Sequence, residues 1–69
     1  SGQRAGTITA LVAQKHNKSR VNVYIDGEYG FGLSAIHAAR LHKGQQLTAE
    51  DIKRLEHLGA VEVAYERAL

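Results

Sequence analysis

An α+β fold, a three-stranded antiparallel β-meander followed by two or three short helices packed on one face, is predicted by three features of the 69-residue chain. Apolar and polar residues alternate along two stretches joined by Asp26-Gly27, the pair that most readily takes positive φ at both positions of a primed hairpin turn. A third stretch, rich in β-branched residues, precedes them. After Leu33 the alternation gives way to Ala- and Leu-rich segments opened by Ser34 and Thr48 and punctuated by Gly44 and Gly59, which are the cap and stop residues of helices.

Residues 1–6 have no period and read as a tail, leaving one domain over 7–69; such ends are ordered only when something ties them down. Strand one is expected over Thr7 to Gln14, with Ile8, Ala10 and Val12 on one face and Thr7, Thr9 and Leu11 on the other. The polar run Lys15 to Ser19 is a loop by composition. In strand two, Val21, Val23 and Ile25 oppose Asn22, Tyr24 and Asp26; beyond the turn, Tyr29, Phe31 and Leu33 continue the apolar face, and Phe31 should be among the most buried side chains. Ser34 is suited to cap a helix from Ala35 to Lys43, which Gly44 stops. Thr48 and Asp51 have the spacing of a capping box for a second helix carrying Ile52, Leu55 and Leu58, which Gly59 is expected to end. The last segment, Ala60 to Leu69, alternates like a strand at Val61, Val63 and Tyr65, but its Ala, Glu, Arg and Leu content favours a helix.

Composition narrows the function classes. So short a chain buries only about 60% of its unfolded surface, so its stability is marginal. There is no cysteine, hence no disulfide and no thiolate metal site, in keeping with a cytoplasmic location. No apolar run approaches the roughly 20 residues that span a bilayer, and no membrane partner is expected. The net charge of +2 is unevenly spread. Residues 1–45 hold Arg4, Lys15, Lys18, Arg20, Arg40 and Lys43 against Asp26 and Glu28, whereas acidic residues outnumber basic ones from 46 onward. A polyanion would therefore meet the N-terminal half.

The ordered series Ile8-Thr9-Ala10-Leu11, Gln14 to Arg20, Val21 to Tyr29, Phe31-Gly32-Leu33-Ser34, Lys43 to Leu47 and Ala64 to Leu69 resembles the leading segment of the RecX family of recombinase regulators. The resemblance runs from about Thr7 to the end of the chain. It implies a regulatory and interaction module that modulates a RecA-type recombinase filament in DNA repair and recombination. In that family, arrays of three-helix repeats lodge in the filament groove. This chain stops where they would begin, so the resemblance implies an excised or shortened leading module.

No constellation for catalysis emerges. Ser34, His37 and Asp26 form an imaginable triad, but Ser34 is better used as a cap, and no nucleophile elbow accompanies it. His16, His37, His42 and His57 lack the i, i+4 spacing of a helical metal pair. Tyr29-Gly30-Phe31-Gly32 lacks the strand-to-helix setting of a phosphate loop; its glycines read as close-packing or bulge positions. Neither an enzyme nor a cofactor is expected. The binding candidates are Lys15, Lys18 and Arg20, clustered about one loop, with Tyr24 on the polar face of the next strand. Cations beside an aromatic suit a DNA or RNA contact, the alternative to a protein-interaction module. Strand one, free of proline, is a candidate edge for pairing with a second copy as a homodimer.

Overall fold

The computed structural model describes residues 5–68, with side chains to Ala64; residues 1–4 of the expected tail lie outside the described residues. Four strands, β1 (Gly6–Ala13), β2 (Arg20–Ile25), β3 (Glu28–Ser34) and β4 (Gln46–Leu47), are joined by a four-residue helix α1 (Ala35–Ala38), and a long helix α2 (Ala49–Ala68) follows. The sheet order is β3-β2-β1-β4 and the described pairings are all antiparallel.

The β2–β3 hairpin turns as its sequence demands, with φ of 52° at Asp26 and 84° at Gly27, the doubly positive pattern of a type I′ turn. Ile8, Val23, Phe31 and Leu33 from the sheet, Ala38 from α1, Leu47 from β4 and Ile52 from α2 make up the core. Phe31 is 4% exposed. Both helix starts use the expected caps. The Ser34 hydroxyl accepts from the His37 amide at 3.5 Å. Thr48 and Asp51 cap reciprocally: the Thr48 amide donates to Asp51 Oδ2 at 3.1 Å, and the Asp51 amide donates to Thr48 Oγ1 at 3.0 Å.

The expected three strands with two or three helices on one face are corrected to four strands and one main helix. β4 is only two residues long, too short to carry a period, yet it buries Leu47 and closes the β1 edge over Gly6 and Thr7. α1 stops at Ala38 rather than Lys43 because the Arg40 and Leu41 amides bond three residues back, to His37 and Ala38, tightening the last turn. The chain then returns so that Gln45 accepts from the Ile8 amide at 2.9 Å and Gly44 donates to the Ile8 carbonyl at 2.7 Å. The second and third helices are one. α2 continues through Gly59, which is buried.

Two bulges also revise the faces. The β1–β2 register shifts between Ile8 and Ala10, leaving Thr9 unpaired, so Ile8 and Leu11 share the core side while Ala10 and Val12 lie on the other. The β2–β3 register shifts beside Val23, where Gly30 is the extra residue, so Tyr29 pairs with Tyr24 and leaves the face of Phe31 and Leu33. A bulge adds one residue to one strand and so inverts every side chain beyond it.

Candidate functional site

The four sequence-derived binding residues fall into three settings. Lys15 and Lys18 are exposed in the β1–β2 loop, which is shaped by the Asn17 amide donating to Gln14 O at 3.4 Å and the Arg20 amide donating to Asn17 O at 3.0 Å. Tyr24 is half-buried, its ring edge-on to Tyr29 at 6.0 Å between centroids and 83° between planes. Arg20 is separated from the two lysines: it is 6% exposed, and its Nη1 lies 3.4 Å from Glu62 Oε1.

Glu62 is the centre of a polar cluster that sequence reasoning missed. Its Oε1 accepts from the Ser34 amide at 3.0 Å and from Arg20, while its Oε2 lies 2.7 Å from His37 Nδ1. His37 Nδ1 is also 2.9 Å from Ser34 Oγ. One carboxylate thus ties α2 to β2, to the end of β3 and to α1. Burial alone would raise the Glu62 pKa, but the hydrogen bonds from the Ser34 hydroxyl and amide and from His37, with the charge of His37, outweigh it, and Glu62 is held below its ordinary value. No buried side-chain polar atom among the described residues lacks a partner. The only sequence signal was an acidic residue at one position of an amphipathic segment, and its partner lies 42 positions away.

An open groove of about 520 Å³ lies beside this cluster, floored by Gly30 and Gly32 and walled by Arg20, Tyr29, Ala60 and Val63. Its shape depends on glycine. A Cβ on Gly59 would run into the carbonyl oxygen of Gly32, so α2 crosses the rim of β3 at backbone distance. A Cβ on Gly32 would stand 3.4 Å from Arg20 Nη2 and 3.5 Å from the Tyr29 hydroxyl, in ordinary contact with both. Among the described residues no three His, Cys, Asp or Glu side chains converge as a metal site, and no helix is long and apolar enough to cross a membrane.

Residues 6–48 match the family described as the regulatory protein RecX N-terminal domain. Curated relatives named regulatory protein RecX include those of Bacillus licheniformis, 34% identical over 64 residues, and Lactobacillus johnsonii, 38% identical over 64 residues. Each alignment covers 90% of this chain and 24% or 23% of the relative. The chain therefore spans about a quarter of the length of these relatives. A solved structure described as the crystal structure of regulatory protein RecX superposes with a TM-score of 0.75 at 32% identity, over 91% of this chain and 32% of that one. The matched segment begins at β1 and ends just past β4, so it takes in the whole sheet, and on that ground the chain belongs to the RecX N-terminal domain family.

Proposed function

We propose that this chain is the leading regulatory module of a RecX-type protein and acts by contacting a RecA-type recombinase filament, without catalysis. The observation that carries the reading is the family match across the entire sheet, joined by relatives that are themselves named regulatory proteins. The geometry is in keeping with it: the groove is open, and the Glu62 cluster is used up internally, as a structural tie. Co-sedimentation of the 69-residue chain with RecA filaments on single-stranded DNA tests the proposal. Saturable co-sedimentation, with a change in the filament's ATPase rate, is expected. A chain that stays in the supernatant at low salt refutes direct contact by this module.

A second reading rests on Lys15 and Lys18, exposed together in one loop, while Tyr24 lies toward the other end of β2, opposite Ala10. Here the module touches nucleic acid directly. Arg20 is committed to Glu62, so two lysines supply the contacts, and a log–log salt slope near about −2 on duplex is expected, at about −0.9 per phosphate neutralised. Lys15→Ala with Lys18→Ala should abolish that binding on every sequence. Binding to bare DNA that the double variant retains would exclude the loop.

A further inference from the structure

On β1 the sheet has a stretch of rim whose backbone is left open. The Gln14 amide donates to Arg20 O at 2.9 Å, and Gln14 and Arg20 extend the register that pairs Val12 with Asn22 and Ala10 with Tyr24. Hydrogen-bonded and non-bonded pairs alternate along an antiparallel ladder. Val12 and Ala10 therefore bond to β2, while the amides and carbonyls of Leu11 and Ala13 point away from it. The extra residue at Thr9 shifts this alternation by one, so the Ile8 amide and carbonyl turn outward, and there they meet Gln45 and Gly44.

The rest of β1 and part of β3 are covered. β4 and Gln45 end their cover of β1 at Ile8. On β3, the Ser34 amide is taken by Glu62, and the Gly32 carbonyl faces Gly59 of α2. Leu11 to Ala13 alone keep an unpaired strand rim of β1 among the described residues. Cations bracket that rim. Lys43 adjoins Gly44, which bonds to Ile8 at one end, and Lys15 and Lys18 stand in the loop at the other. All three are exposed, and none takes part in an ion pair among the described residues.

We propose that this rim of β1 receives an extended acidic segment of a partner protein as a fifth strand, the Leu11 and Ala13 backbone giving the hydrogen bonds and Lys15, Lys18 and Lys43 the charge selection. Addition of a strand takes affinity from main-chain bonds and specificity from side chains. The open groups are amides and carbonyls at strand spacing, which another peptide backbone matches and a phosphodiester does not. A second copy of this chain is a poorer occupant. Antiparallel self-pairing about Val12 sets Leu11 against Ala13 of the copy and Lys15 against its Thr9, next to the Ile8 that adjoins Lys43, so cation meets cation. Lysine beside an open rim is a known guard against such self-pairing.

The test uses the 69-residue chain, labelled for amide exchange, and a blocked peptide of about eight alternating glutamates and valines, the length of an ordinary strand. Binding is expected to slow exchange at Leu11 and Ala13 and to weaken with added salt. The Ala13→Pro variant removes an outward donor without touching the β2 ladder, and should weaken binding roughly tenfold or more. Lys15→Glu with Lys43→Glu leaves the backbone intact, and should weaken it by roughly tenfold as well. That pair decides the matter if Ala13→Pro does not fold. No binding of the peptide, or equal binding of its lysine–valine counterpart, would overturn the proposal. So would slowed exchange at Leu11 and Ala13 on raising the chain's own concentration, which identifies a second copy. Displacement of the peptide by oligothymidylate, with Ala13→Pro still binding normally, would assign the cations to nucleic acid and overturn it too.

Discussion

Arg20 and Glu62 show how a charge can be visible in a sequence while its use is not. Next to a basic loop, Arg20 reads as a third solvent cation, and Glu62 as one more acidic residue in a helical tail. Their pairing depends on α2 passing the rim of β3, a tertiary fact with no local signature. The side chains of Arg20 and Glu62 are 8% and 15% exposed, so water has little access to replace either partner. Replacing one member of such a pair leaves the other uncompensated, at a cost of about 3–5 kcal/mol. Glu62→Ala should therefore unfold much of the population at room temperature, read by circular dichroism on heating, whereas Lys15→Ala should move stability by no more than about 0.5 kcal/mol. Near-wild-type melting of Glu62→Ala would mean that the pair contributes nothing to the fold. The pH dependence has a definite sign. Glu62 is held below its ordinary value in the fold, so in acid the unfolded chain binds the extra proton. The stability it supplies is present above about pH 4.3, the unperturbed value for a glutamate, and is lost as the pH falls through the lower folded value. Glu62→Gln should flatten that part of the profile, measured as urea midpoints from pH 6 down to about pH 3.

Among the elements, those with a local code were legible and those set by a neighbour were not. The Asp26-Gly27 turn, the Ser34 cap and the Thr48–Asp51 box each involve residues no more than three apart, so each could be read from the residues alone. The faces of β1 and β3 could not, because an extra residue at Thr9 or Gly30 is defined only by the partner strand. Gly59 is the instructive miss. A glycine after a helical run ordinarily marks a stop, but here it sits inside α2, where only a hydrogen fits against the Gly32 carbonyl. This inverts the usual rule for the substitution. Gly→Ala inside a helix gains about 0.8–1.0 kcal/mol from propensity, but at Gly59 the added methyl must push α2 off β3, and overpacking of this kind typically costs about 1–3 kcal/mol. Gly59→Ala should thus lower the melting temperature, while Ala remains tolerated at neighbouring exposed helix positions. A higher melting temperature for Gly59→Ala would show that α2 does not approach β3 so closely.

At the scale of the whole molecule, the family match ends at residue 48 while the core does not. The face carrying Val23, Phe31 and Leu33 is closed by Ile52, with Leu55 and Leu58 packed against it, all from α2. The same helix supplies Glu62 to the Ser34 amide and to Arg20. A sheet with one apolar face is independently stable only when something covers that face, and a chain this small has little reserve. We propose on this ground that the separable unit includes α2. Cutting the chain after Thr48 should leave no cooperative melting transition and a dispersed-shift spectrum collapsed to that of an unfolded chain, whereas the full 69 residues should melt as one unit. Phe31→Ala checks the same core from the sheet side: at about 3–5 kcal/mol for a buried phenylalanine, it should destabilise as severely as losing the helix. If the chain ending at Thr48 melts cooperatively near the temperature of the full chain, the sheet folds without its cover, and α2 is an appendage of the module instead of one of its walls.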